Sequence, residues 1–162
     1  MVKVLFVCTG NICRSPTAHG VFRALVRREG LDGVIEVESA GTNAYHVGQP
    51  ADRRSVEAAM RRGIDISDLR ARQVAKADFH EFDLLLAMDQ RNESDLIDLG
   101  FPRDRVKLFR SFDRTLADAV ARGDNHLLEV PDPYYGGHDG FDKVYAMLWR
   151  ASEGLLDSLK KR

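Results

Sequence analysis

The chain is poor in cysteine, in net charge and in long apolar runs. Its 162 residues include 2 Cys, and 24 Lys and Arg stand against 25 Asp and Glu, a net charge of −1. Two cysteines exclude a disulfide-stapled scaffold and fit a reducing compartment, so the expected location is the cytoplasm. Balanced charge gives no support for nucleic-acid binding. No segment approaches a membrane span, and Val2 to Val7, with Lys3 inside it, is too short for a signal peptide. Repeats, low-complexity tracts and a domain linker are all missing, and the length suits one domain, 1–162, with a real core. Basic residues cluster only locally, at Arg53-Arg54, Arg61-Arg62 and Arg70/Arg72. Such clusters read as solvated faces or helix ends, or as a rim that draws in an anion.

What is present is an alternation of periods. Val2 to Val7 reads as a buried parallel strand. Ala18, Val21, Phe22, Leu25 and Val26 keep helical spacing up to Gly30. Val34 to Ser39 reads as a second strand. Val56, Ala59 and Met60 mark one face of a second helix closed by Gly63. Asp83 to Met88 is a third strand, and Asp89 caps a helix running through Leu96, Ile97 and Leu99 to Gly100. Val106 to Phe109 is a short fourth strand. Phe141, Val144, Tyr145, Leu148, Ser152, Leu155 and Leu159 define a long last helix, with Trp149 read as packing. The expected fold is α/β: a doubly wound, four-stranded parallel sheet with helices on both faces in a single domain. In such sheets sites form at the carboxyl ends of strands.

The first strand ends at such a site. Cys8-Thr9-Gly10-Asn11-Ile12-Cys13-Arg14-Ser15-Pro16 places a Cys and an Arg with five residues between them. A loop of this size wraps a tetrahedral oxyanion with inward N–H groups. Only a thiolate attacks, and a helix N-terminus favours anions. Ser15 is the expected N-cap and Pro16 the first helical residue. Arg14 supplies a planar fork that matches phosphate oxygens. Gly10 permits close approach, and Asn11 tolerates a left-handed backbone. The Ser15 hydroxyl is placed to donate to the Cys8 sulfur. The loop has no Gly-Lys-Ser/Thr ending and nothing to suit Mg²⁺. Two Cys five apart also read as a buried thiol pair or a metal half-site, although no Cys/His cluster follows to complete one.

Attack on phosphorus needs an acid for the leaving oxygen and then a base for water. Asp132, between Pro131 and Pro133 and followed by Tyr134-Tyr135-Gly136-Gly137, is the candidate; alone, this stretch also reads as an ordinary surface turn. The five histidines, His19, His46, His80, His126 and His138, read as surface or packing residues, with His46 nearest a site wall.

Together, Val4 to Pro16 and Asp132-Pro133-Tyr134-Tyr135-Gly136 resemble the low-molecular-weight protein tyrosine phosphatases. Glu38 to Thr42, Gly63-Ile64, Ala71-Arg72-Gln73 and Ala87-Met88-Asp89 extend the resemblance across essentially the whole chain. It implies a phosphatase domain over 1–162 that hydrolyses phosphotyrosine and aryl phosphates without metal or cofactor. Cys8 would be the nucleophile, Arg14 the phosphate binder and Asp132 the general acid and then base. Thr9, Gly10, Asn11, Ile12, Cys13 and Ser15 would complete the phosphate loop. Asn11, Ser15 and Ser39 would brace it, and Tyr45, Tyr134 and Tyr135 would wall the substrate ring. Cys13 would be able to form a reversible disulfide with Cys8, shielding it from over-oxidation. The implied partner is a phosphotyrosyl protein, with phosphate or other oxyanions as product or inhibitor, and neither nucleic acid nor membrane. Family members often carry a His shortly before Ala-Arg-Gln; Ser67 to Gln73 has none.

Four rival readings share parts of this pattern. An arsenate reductase needs a downstream Cys pair, and no Cys follows Cys13. An arginine phosphatase of the same family carries Thr where Ile12 stands, and an apolar Ile suits an aryl phosphate better than a charged guanidino phosphate. A non-catalytic phosphotyrosine-binding module would lose Cys8 or Asp132. A thiol redox sensor would not need Asp132.

Overall fold

A computed structural model describes residues 1–134, 136–137 and 139–161. Four strands form one sheet: β1 (Val2–Cys8), β2 (Ile35–Gly41), β3 (Leu84–Ala87) and β4 (Val106–Leu108). Their order is β2-β1-β3-β4, and every pairing is parallel. The helices are α1 (Arg14–Arg28), α2 (Arg53–Met60), α3 (Asp78–Glu81), α4 (Gln90–Asp98), α5 (Ala117–Arg122) and α6 (Gly140–Lys160).

Side chains of β1 alternate between two cores, which is why the whole strand reads as apolar. Val4 and Phe6 face α1 and α6, with Phe22 and Phe109 edge-on to Phe6 at 5.7 and 4.8 Å. Leu5 and Val7 face the other way, onto Phe82, Leu96 and Phe101. Helices therefore cover both faces, as expected. Every α6 position named from periodicity is buried, and Trp149 packs against the core. Where α6 crosses the turn at Phe109–Phe112, a Cβ on Gly154 would lie 1.7 Å from the Phe112 carbonyl oxygen, so only glycine allows that contact.

Several boundaries differ from the sequence expectation. β2 runs on to Gly41, which pairs with Cys8. The buried face of α2 is Ser55, Ala58 and Ala59; Met60 is exposed, because the helix presents its small residues to the core. α1 starts at Arg14, with Cys13 at the cap position, so Ser15 is not an N-cap. Pro16 is then the third helical residue, where the missing N–H costs nothing because the first-turn N–H groups lack intrahelical acceptors. The short helices α3 and α5 carried no clear periodicity. Asp89 caps α4 as expected, accepting from the Asn92 N–H at 2.8 Å. Among the described residues, no helix is long and apolar enough to cross a membrane.

Candidate active site

β1 delivers Cys8 to the carboxyl end of the sheet, and the chain then turns tightly into α1. The turn is closed by bonds on its outer carbonyls: Cys8, Thr9 and Ile12 accept from the N–H groups of Thr42, Asn43 and Asp52 at 2.9, 3.1 and 2.7 Å. With the Thr9 and Ile12 carbonyls turned outward, the Gly10 and Cys13 N–H groups of the same planar peptides turn the other way. The N–H of Asn11 donates to Cys8 Sγ at 3.3 Å, while those of Gly10, Ile12 and Cys13 have no acceptor among the described residues. Gly10, Ile12 and Cys13 line a cavity of about 460 Å³, where amides without acceptors make a seat for an oxyanion. A Cβ on Gly41 would lie 2.7 Å from the Thr9 carbonyl oxygen, so the neighbouring strand must carry glycine there.

Asn11 adopts φ 58, the left-handed conformation expected of it. Its Nδ2 donates to Ser15 Oγ at 2.7 Å, and its Oδ1 accepts from the Arg72 N–H at 3.0 Å. The brace from the Ala71-Arg72-Gln73 segment is thus a backbone N–H. Ser15 Oγ lies 3.0 Å from Cys8 Sγ and 3.4 Å from the Ala40 carbonyl oxygen. Because Asn11 occupies it as an acceptor, its own proton is directed to the nearer sulfur when that sulfur is a thiolate. Ser39, expected in this brace, bonds instead to His19 Nδ1 at 2.9 Å and to neither Asn11 nor Ser15. Its side chain meets α1, which supplies that histidine. Burial, with Arg23 nearby, pushes His19 down to about 4, so its ring is neutral at pH 7.

Arg14 is almost wholly enclosed, its side chain 3 % exposed. Nη1 donates to Asp89 Oδ2 at 2.7 Å and to the Val130 carbonyl at 3.0 Å. Nη2 reaches Thr9 Oγ1 at 3.4 Å and stands 3.7 Å from Asp132 Oδ2. Burial opposes the charge, but the Cys8 sulfur and the Asp89 and Asp132 carboxylates outweigh it and hold the guanidinium above its ordinary value. Burial, with Asp52 nearby, pushes the Cys13 thiol up to about 12, so it stays protonated. Both cysteines are free.

Asp132 hangs over the same cavity with its side chain 42 % exposed, its Oδ1 accepting from the Tyr134 N–H at 3.0 Å. Tyr45, which is 84 % exposed, and Tyr134 line the opening, and Arg54 stacks on the Tyr134 ring at 5.3 Å. Tyr135 lies outside the described residues, as does His138. Two features escaped the sequence reading, the bond of Asp89 to Arg14 and the place of Asn92, while His46 lies at the site wall where it was expected. Asp89, taken only as a cap, also holds Arg14; its place just after β3, at the carboxyl edge of the sheet, was the available signal. His46 lines the cavity, its Nδ1 on Gln49 Oε1 at 3.0 Å. Asn92 touches Thr9, a contact across the fold that has no local signature.

The chain matches the family described as low molecular weight phosphotyrosine protein phosphatase over residues 3–162. It is 44% identical to a low molecular weight protein-tyrosine-phosphatase of Streptomyces coelicolor, over 99% of this chain and 94% of that protein. It is 40% identical to the low molecular weight protein-tyrosine-phosphatase YfkJ of Bacillus subtilis, over 99% and 97%. A crystal structure of a protein tyrosine phosphatase from Entamoeba histolytica, with Hepes in its active site, aligns with a TM-score of 0.88 at 37% identity, covering 99% of this chain and 98% of that one. The chain belongs to the low molecular weight phosphotyrosine protein phosphatase family and is an enzyme of that family.

Proposed function

We propose that the whole chain, 1–162, is one phosphatase domain that hydrolyses phosphotyrosyl proteins through a phosphocysteine. The observation that carries this reading is the convergence of Cys8 Sγ, the Arg14 guanidinium and the Asp132 carboxyl on one cavity. The Cys8 thiolate attacks phosphorus in line, forming the S–P bond as the P–O bond to the tyrosyl oxygen breaks. Arg14 and the inward amides hold the three equatorial oxygens. Asp132 gives its proton to the leaving phenolate. A water then attacks the phosphocysteine, Asp132 takes its proton, and the thiolate leaves with inorganic phosphate as product.

Ile12 lines the cavity and packs with Ala58, Ala71 and Phe141, an apolar wall that supports an aryl rather than a guanidino ester. Tyr45 and Tyr134 stand where a phosphotyrosyl ring would enter.

The test is hydrolysis of p-nitrophenyl phosphate in excess EDTA by wild type beside Cys8→Ser, with phosphotyrosyl and phosphoarginyl peptides as competing substrates. Chelator-resistant turnover with a stoichiometric burst of p-nitrophenol, lost in the variant, is expected, along with preference for the phosphotyrosyl peptide. No turnover by reduced, folded wild type would overturn the reading.

A further inference from the structure

Thr9 lies beside the nucleophile, and its side chain is caught between two donors. Arg14 Nη2 points at Thr9 Oγ1 from 3.4 Å and Asn92 Nδ2 from 3.2 Å. A guanidinium has no acceptor to offer, and the Asn92 amide presents its N–H, so the Thr9 oxygen accepts from both. Its own proton has no acceptor among the described residues, and Thr9 lines the cavity.

Asn92 is fully buried in the first turn of α4. That helix end is already served by Asp89, whose Oδ1 takes the Asn92 N–H. The Asn92 Oδ1 has no hydrogen-bond partner among the described residues. A buried amide oxygen without a donor is unfavourable, so capping and packing do not account for an amide here. Its visible engagement is the Nδ2 bond to Thr9.

We propose that Asn92 is a positioning residue that fixes Thr9 so that the Thr9 hydroxyl donates to an oxygen of the bound phosphoryl group, beside Arg14 Nη2. The inference rests on reading the loop as a phosphoryl site. It adds a side-chain donor to the amide nest, held from α4 by the Asn92 amide. The Asp89-x-x-Asn92 turn then serves the site twice, Asp89 through Arg14 and Asn92 through Thr9.

Titration of inorganic phosphate into the full chain tests it without relying on turnover. Thr9→Val is expected to weaken phosphate binding about tenfold, the scale of one hydrogen bond to a charged group. Thr9→Ser, which keeps the hydroxyl, should stay within about twofold of wild type. Asn92→Leu should weaken binding by a factor similar to Thr9→Val, and the double variant should be no weaker than Thr9→Val alone, because both remove one interaction. In p-nitrophenyl phosphate hydrolysis the same variants should raise KM more than they lower kcat. Where Asn92→Leu does not fold, Asn92→Ala replaces it.

Thr9→Val binding phosphate like wild type, or Val and Ser losing equally, would overturn the donor role. Asn92 and Thr9 losses that multiply in the double variant would overturn the positioning role. Either result with normal wild-type turnover leaves the phosphatase reading standing. Wild type that neither binds phosphate nor turns over would overturn both.

Discussion

The two halves of the candidate site are built in opposite ways. The Cys8 loop is enclosed, and its groups are committed several times over: Asn11 to Ser15, to Arg72 and to the sulfur, Arg14 to Asp89, Val130 and Thr9. The Asp132 segment is exposed at Pro131, Asp132 and Tyr134 and is anchored by the buried residues Val130 and Pro133, with the Val130 N–H on the Met88 carbonyl at 2.7 Å. The difference follows from what each half must hold. A nest of amides around an anion works only if its dipoles are fixed before the charge arrives. In the proposed mechanism the Asp132 carboxyl exchanges protons with a leaving group and then with water, which requires it to stay within reach of solvent.

The sharpest break in this comparison is Cys8→Ser. Turnover of p-nitrophenyl phosphate should fall by at least about 10⁴-fold while the melting temperature barely moves, since the exchange is nearly isosteric. Asp132→Ala follows. It should lower kcat about 10²- to 10⁴-fold, most for poor leaving groups, and change stability by less than about 0.5 kcal/mol in urea unfolding. A flat leaving-group series would remove Asp132 from its proposed role as acid.

Asn11→Ala should do what Asp132→Ala does not. It loses two side-chain bonds and places a Cβ-bearing residue without local hydrogen bonding at φ 58, so about 2–4 kcal/mol of stability should go together with activity. Asn11→Gly keeps the backbone and should fall between Ala and wild type. Equal stability of Asn11→Ala and Asp132→Ala would erase the contrast drawn above.

A last contrast, read in stability alone, concerns the buried flank of the loop, where Ser39 meets His19. His19 falls from an ordinary 6.5 to about 4 on folding. The unfolded chain therefore binds the extra proton first, and stability is lost as pH falls from about 6.5 to about 4. The loss should amount to about 3 kcal/mol over that window, and His19→Gln should flatten the pH dependence of urea unfolding.

Elements with strong periodicity were legible in the chain. The α6 face from Phe141 to Leu159 and the two-sided burial of β1 are local patterns set by helix and strand geometry. The Cys8 loop was legible because a candidate nucleophile, a fork and a glycine within nine residues are chemistry written contiguously. Less was legible where a residue serves two masters. Asp89 reads as a cap from its neighbours, and its bond to Arg14, 75 positions away, leaves no mark on the sequence around it. Ser39 sits close in sequence to the segment that supports the loop, yet its side chain faces α1 and finds His19. The α1 start was placed two residues late because Ser15-Pro16 looks like a cap, whereas the Ser15 hydroxyl is used by the sulfur and by Asn11.

By itself, then, the sequence determined the sheet, the helices α1, α2, α4 and α6, the loop and the two residues Cys8 and Arg14 that share it, because all of these follow from short-range spacing and backbone preference. Only the tertiary structure decided how Arg14 is held, which atom of the Arg72 segment braces Asn11, and that Thr9 lies between Arg14 and Asn92. The contacts of Asn11 with Arg72, of Arg14 with Asp89 and Val130 and of Thr9 with Asn92 join positions 61 to 116 residues apart, and those with Asp89 and Asn92 exist because β1 and β3 lie side by side.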